Sequence, residues 1–187
     1  SVRPWTNSSD APPPVERWLI WSPTPILATA ARESPPPTML IALEAATGRE
    51  IWIHAGLTGI SPRGIKYWES RARSDRRLIF QRNNFLEAID ARTGQSILSF
   101  GVDGAVNLKE GFDKPPAEIG RASSATPGKI FENLLLLGSA TGEGYFSTPG
   151  VLRAVDVITG RIVGQFNLIP RPGEFGYDTW PKDAWKY

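Results

Sequence analysis

Ala42-Leu43-Glu44-Ala45-Ala46-Thr47-Gly48-Arg49-Glu50-Ile51-Trp52 recurs twice in the chain, as Ala88-Ile89-Asp90-Ala91-Arg92-Thr93-Gly94-Gln95-Ser96-Ile97-Leu98 and as Ala154-Val155-Asp156-Val157-Ile158-Thr159-Gly160-Arg161-Ile162-Val163-Gly164. Each copy reads as a hairpin. An alternating strand ends in Ala-x-acidic, the acidic side chain can accept backbone N–H groups of the turn, and Thr-Gly closes it because glycine takes the positive φ required there. Behind the glycine the alternation resumes, with Gly48, Glu50 and Trp52 on one face and Arg49 and Ile51 on the other, so the tryptophan is placed to pack against a neighbouring sheet. A hairpin cannot bury both of its faces alone, and three copies imply stacked sheets with a shared core. Three unrelated hairpins of a sandwich would have no reason to keep one eleven-residue register.

The copies start about 46 and about 66 residues apart, and a four-stranded propeller blade occupies about 40 to 50. The surplus in the second interval reads as an inserted loop, assigned to the polar, proline-containing stretch Leu108 to Arg121. Further strands are expected at Arg77–Gln81 and Phe85–Ile89, either side of the turn-forming Arg82-Asn83-Asn84, at Ile97–Phe100, ended by Gly101-Val102-Asp103-Gly104, and at Val151–Asp156 and Arg161–Phe166. Leu134 to Leu137 shows no alternation and reads as a strand buried on both faces. The proline runs Pro12–Pro14 and Pro35–Pro37 exclude central strands. Residues 1–37 are therefore an irregular N-terminal segment and residues 38–187 the blades. The fold class is all-β, an arc of about three four-stranded antiparallel blades.

Composition removes several functions. The 187 residues carry 21 Lys plus Arg against 19 Asp plus Glu, and a net charge of +2 gives no electrostatic footprint for nucleic acid. The run Arg71, Arg73, Arg76, Arg77 is broken by Ser74 and Asp75 and reads as a solvated loop. With no cysteine there is no disulfide framework, thiolate nucleophile or thiolate metal site, so a metal would be held by oxygen. One histidine, His54, excludes a His-x-x-x-His zinc site and reads as a packed or loop residue. No apolar run is long enough to span a bilayer, and Ser1 to Asp10 lacks the basic-then-apolar pattern of a secretory signal.

The Ala-x-Asp-x-x-Thr-Gly-x-x-x-Trp repeat resembles the docking motif of quinoprotein dehydrogenases, eight-bladed propellers that oxidise alcohols and sugars with pyrroloquinoline quinone. Arg63-Gly64-Ile65-Lys66-Tyr67-Trp68 resembles that family's Arg-Gly-x-x-Tyr-Trp segment. Ile169-Pro170-Arg171-Pro172-Gly173-Glu174-Phe175-Gly176-Tyr177, with Trp180 and Trp185, is similar to the stretch leading into its cofactor-stacking tryptophan. The likeness runs from about Met39 to Tyr187 and is strongest to the membrane-type glucose or alcohol dehydrogenases.

The resemblance implies roles for particular residues. Arg63 stands where the family pairs an arginine with a cofactor carboxylate, a planar match that lysine cannot reproduce; the alternative is a plain loop arginine. Ser124 matches a hydroxyl that hydrogen-bonds the quinone's acid groups. Gly138-Ser139-Ala140-Thr141-Gly142-Glu143-Gly144 resembles a turn whose small residues, Thr141 and Gly142, admit the cofactor to the backbone, while Glu143 binds calcium; the alternative is an exposed glutamate in a glycine-rich loop. Calcium beside a quinone can act as a Lewis acid on the carbonyl that accepts hydride.

The family's stacking tryptophan, amide calcium ligand and proton-abstracting aspartate match positions beyond Tyr187, so no catalytic residue is assigned in this chain. A full ring at roughly 45 residues per blade needs well over 300 residues. Trp21-Ser22-Pro23-Thr24-Pro25-Ile26 has some likeness to the family's strand entry, but Leu27 to Pro37 departs from it, which makes the first blade degenerate. The expectations are a segment of a periplasmic dehydrogenase for a sugar or alcohol, little activity alone, and self-association through exposed blade edges. Asp178 and Asp183 read as loop residues, and the aromatics near them as core. The alternative is a noncatalytic propeller segment that binds a protein or serves as scaffold. Convergence of Arg63, Ser124 and Glu143 on one pocket separates the two.

Overall fold

The structure, a computed structural model, describes residues 18–21 (backbone only), 39–61, 63–124, 126–141 and 148–186. Eleven strands follow one another as meanders: β1 (Trp18–Trp21), β2 (Leu40–Glu44), β3 (Glu50–His54), β4 (Lys66–Glu69), β5 (Arg76–Arg82), β6 (Phe85–Asp90), β7 (Ala105–Asn107), β8 (Lys129–Phe131), β9 (Leu134–Gly138), β10 (Val151–Asp156) and β11 (Ile162–Asn167). They form three antiparallel sheets, β1-β2-β3, β4-β5-β6-β7 and β8-β9-β10-β11, each in sequence order. This is the expected all-β arc of about three blades. Trp18–Trp21 pairs with β2, Trp18 opposite Glu44 and Trp21 opposite Ile41. The irregular reading of residues 1–37 therefore does not extend to these four.

The repeat turns have the expected chemistry. Asp90 Oδ1 accepts the Arg92 and Thr93 N–H groups at 2.8 and 3.0 Å, and Asp156 Oδ1 accepts those of Ile158 and Thr159 at 3.0 and 2.7 Å. Glu44, one methylene longer, takes the Thr47 hydroxyl instead, at 2.6 Å. The closing glycines Gly48, Gly94 and Gly160 sit at φ 73°, 71° and 75°. In each copy the second residue pairs with the ninth: Leu43 with Glu50, Ile89 with Ser96, Val155 with Ile162. Behind that pair the register shifts at Ile51 in the first copy and at Val163 in the third, an extra residue that adds twist to the outer hairpin.

The second copy departs from expectation at Ile97–Phe100, which is not a strand. Ile97 N–H reaches Ala88 O at 2.9 Å, the chain then turns, and pairing resumes only in β7, where Ala105 faces Glu87 and Val106 faces Leu86. The excursion carries Gly101 to the third sheet, where its N–H donates to Thr159 O at 2.9 Å. A Cβ added to Gly160 would lie 2.6 Å from that nitrogen, so glycine is required there for the approach as well as for φ.

The core has two parts, one on each face of the middle sheet. Leu78, Phe80, Ile89 and Ala91 pack with Leu40, Ala42 and Trp52 of the first sheet. Ile79, Leu86 and Ala88 pack with Leu135, Leu137, Val155 and Val157 of the third. The strand buried on both faces is therefore β5, all of whose residues from Arg77 to Gln81 are buried, and not Leu134–Leu137. In β9, Leu135 and Leu137 are buried while Leu134 and Leu136 are half-exposed, because among the described residues the third sheet has a neighbour on one face only. The insertion is no free loop either: Leu108 and Ile119 lie in the second cluster with Phe112 packed against it, and Arg153 Nη1 donates to Leu108 O at 2.7 Å. Trp180 and Phe175, expected in the core, are exposed, and Trp185 is half-buried.

Docking between sheets uses equivalent acceptors. Trp52 Nε1 donates to Ala91 O at 3.0 Å, and its ring covers Gly94, where an added Cβ would meet it at 2.6 Å. His54, half-buried at the end of β3, has Nδ1 2.6 Å from Gly94 O, the packed rather than the loop alternative. The second copy has Leu98 in place of the tryptophan, exposed, and Arg77 takes over: its Nη1 donates to Val157 O at 3.1 Å and Ile158 O at 2.7 Å. Val157 occupies the position in its copy that Ala91 occupies in the second. Trp68 Nε1 adds a bond to Glu132 O at 3.0 Å, in the turn between β8 and β9.

Candidate functional site

Antiparallel meanders alternate ends, so all three Thr-Gly turns lie at one end of the sheets. The β5–β6 turn, the β9–β10 loop and the connections between sheets lie at the other. Of the residues the sequence nominates, Arg63, Ser124 and Thr141 are among those described, and that second end carries all three. A polar concavity of about 390 Å³ over the middle sheet is lined by Gly59, Ser61, Gln81, Asn84, Arg121 and Ser124 among others, a volume in the range of small-molecule sites.

Backbone pairing builds the cleft. Asn83, at φ 54°, makes the tight β5–β6 turn, and its N–H donates to Gly59 O at 2.9 Å while Ser61 N–H donates to Gln81 O at 2.9 Å. A Cβ on Gly59, itself at φ 80°, would strike the Asn83 side chain, so the approach of these loops requires glycine. From the other side, Asn84 Oδ1 accepts Ala122 N–H at 2.9 Å and Gln81 Oε1 accepts Ser124 N–H at 3.1 Å. Gln81 thus ties the loop before β4 to the loop before β8 by its main chain and its side chain respectively.

Ser124 is buried on this cleft, and its Oγ accepts Thr126 N–H at 3.2 Å, which leaves the hydroxyl proton available to a ligand. Arg63 follows Ser61 by two residues, its N–H 3.5 Å from Ser61 Oγ, and is exposed. Gly64 stands against Pro127, 3.6 Å from an added Cβ. The segments bearing Arg63 and Ser124 therefore meet. Thr141 does not join them: it lines a second concavity of about 430 Å³ with Phe112, Asp113, Thr148, Arg171 and Trp185. There Arg171 is paired to Asp113 at 2.9 Å. The backbone link between the two regions is Ala140 N–H to Ser123 O at 2.9 Å. Gly142 and Glu143 lie outside the described residues. Among the described residues no three His, Asp or Glu side chains gather as a metal site.

Gln81, Asn84 and Arg121 are the residues that the sequence reading left out. One signal for Gln81 was present: in Arg77-Leu78-Ile79-Phe80-Gln81 it shares the face of Ile79, where alternation calls for an apolar residue. Asn84 and Arg121 carry no such mark. No acidic side chain lines this cleft among the described residues, and Arg121 leaves it electropositive.

Consecutive meanders of three, four and four strands docked through repeat turns, with a polar cleft at the end remote from those turns, define an arc of a β-propeller. The family model for "PQQ: Glucose/ethanol/alcohol dehydrogenase, beta-propeller domain" matches residues 30–187, and the chain belongs to that family. It is similar to the quinoprotein glucose dehydrogenase of Escherichia coli, 26% identical over 163 residues covering 77% of this chain and 20% of that protein. It is also similar to the dehydrogenase subunit of the alcohol dehydrogenase (quinone) of Gluconacetobacter polyoxogenes, 27% identical over 177 residues covering 79% and 21%. A quinohemoprotein alcohol dehydrogenase from Pseudomonas putida has the same fold over 72% of this chain and 18% of its own, with a TM-score of 0.50 and 22% identity. The chain thus spans about a fifth of the length of the relatives it matches.

Proposed function

We propose that this chain supplies one wall of the pyrroloquinoline quinone site of a calcium-dependent sugar or alcohol dehydrogenase of the periplasm. The observation that carries the reading is the meeting of the Arg63 and Ser124 segments beside one arginine-bearing cleft that no acidic side chain lines among the described residues. A planar cofactor with several carboxylates needs cations and hydrogen-bond donors, and the donor set suits it: the Arg63 and Arg121 guanidinium groups, the Ser124 hydroxyl, and a buried amide nitrogen of Gln81 that has no partner among the described residues. The quinone would supply the hydride-accepting redox chemistry that the chain's own side chains lack. The chain's own contribution is binding and orientation: Arg63 would pair a carboxylate, Ser124 would donate to an acid oxygen, and Glu143 would offer its carboxylate to calcium. The base that removes the alcohol proton is not among the residues assigned here.

Titration of the 187-residue chain with pyrroloquinoline quinone, with and without calcium, tests this by absorbance and melting temperature. The expected outcome is a calcium-dependent stabilisation that Glu143→Ala abolishes and that Arg63→Ala and Ser124→Ala each weaken by about tenfold in affinity, the scale of one charge-assisted hydrogen bond. No effect at millimolar cofactor would leave the scaffold reading as the better one.

A further inference from the structure

We infer that Gln81 is a ligand-reading residue of this cleft, whose side-chain amide donates to an acid oxygen of the bound molecule, directly or through one buried water. Gln81 is 3% exposed. Its two amide ends cannot exchange roles, because Ser124 N–H at 3.1 Å must be met by an oxygen. Nε2 is thereby fixed on the opposite side, where it is buried without a partner among the described residues. An unmet buried donor costs stability, and the cost persists here in a strand whose other core-facing positions are filled. Gln81 also lines the cleft, together with Arg121 and Ser124 and with no carboxylate among the described residues. A site that sets a guanidinium, a hydroxyl and this unmet amide donor together, with no carboxylate among the described residues, favours an acceptor-edged ligand, and the ligand class is a carboxylate. The role differs from that of Arg63. The arginine is exposed and supplies charge, whereas a locked amide fixes depth and orientation, and loss of Ser124 N–H as its anchor would let it turn away.

The inference rests on the cofactor reading for the identity of the acid, not for its chemistry. The test therefore uses two probes on the full 187-residue chain: pyrroloquinoline quinone, and benzene-1,2-dicarboxylate without metal. The side-chain amide protons of Gln81 are followed by nitrogen-15 NMR, assigned through bonds, and Gln81→Glu is compared with the parent chain. That variant keeps the acceptor for Ser124 N–H and removes the donor. The expected result is a downfield shift and slowed exchange of the Gln81 amide protons with either probe, and a loss of affinity for the quinone of tenfold or more in Gln81→Glu, whose buried carboxylate also lowers the melting temperature, so that the proton readout on the parent chain decides. A shift with the dicarboxylate but no binding of the quinone upholds the inference and defeats the cofactor reading. Quinone binding that leaves the Gln81 protons unmoved and is unchanged in Gln81→Glu overturns the inference and keeps the cofactor reading. Neither probe perturbing Gln81 overturns it outright.

Discussion

Gly94 answers two demands at one position: a left-handed backbone at φ 71° and a surface flat enough for the Trp52 ring, 2.6 Å from any Cβ placed there. Gly94→Ala therefore combines about 1 kcal/mol of backbone strain with about 1–3 kcal/mol of overpacking, and urea unfolding should show a loss of about 2–4 kcal/mol. Trp52 fluorescence would redshift as the ring lifts off its acceptor. Asp156 gives a residue-scale prediction for pH. Its partial burial works to raise its pKa, but the Thr159 N–H and hydroxyl, the Ile158 N–H and the Arg77 charge outweigh that and hold it below the usual aspartate value. The folded chain thus binds this proton more weakly than the unfolded one. The stability it contributes is complete above the unfolded pKa near 4 and is lost as pH falls through the lowered folded value. Asp156→Asn should cost about 1 kcal/mol at pH 7 and flatten the acid limb of the stability profile below about pH 4. An unaltered acid limb would remove Asp156 as its source.

At the scale of elements, Arg77 links the middle and third sheets with a fork that no other side chain reproduces: Nη1 serves two carbonyls of the third repeat turn, while Nε and Nη2 hold Asp75 at 2.9 and 2.7 Å. Arg77→Lys keeps the charge and loses the fork. It should destabilise by about 2 kcal/mol, more than Arg92→Lys at an exposed ion pair, and thermal melts of the two variants side by side check the order. The hairpins themselves were legible because turn chemistry is local: Asp90 and Asp156 act within three residues of themselves. What was illegible depended on neighbours. Leu134–Leu137 looks doubly buried as a string of leucines, yet burial is decided by how many sheets flank β9. Ile97–Phe100 has strand-forming residues, yet the pull of Gly101 onto Thr159 O takes the chain out of the sheet. Gln81 was visible as a polar residue on an apolar face, but its tie to Ser124, 43 positions away, follows only from the stacking of two blades.

For the whole molecule, the middle sheet is sandwiched and, among the described residues, the outer two are not. On the first sheet Ile51 and Ile53 are exposed, and on the third Leu152, Val163 and Phe166 are, with Phe166 60% accessible. Apolar strands presented on two opposite faces of one arc form a heterologous pair, since the first sheet of one molecule can stack on the third of another as its own sheets stack inside. Nothing in such a contact stops at two copies, so the expected behaviour is a mass by light scattering that climbs with concentration and passes beyond the dimer, accompanied by binding of a hydrophobic dye. Replacing Leu152 and Phe166 together by serine removes one partner face while leaving both core clusters untouched, since neither residue belongs to them. The double variant should stay at monomer mass over the same range, with a melting temperature within a few degrees of the parent at low concentration. A parent chain that remains a dye-silent monomer at high concentration would show instead that these two faces do not recognise each other.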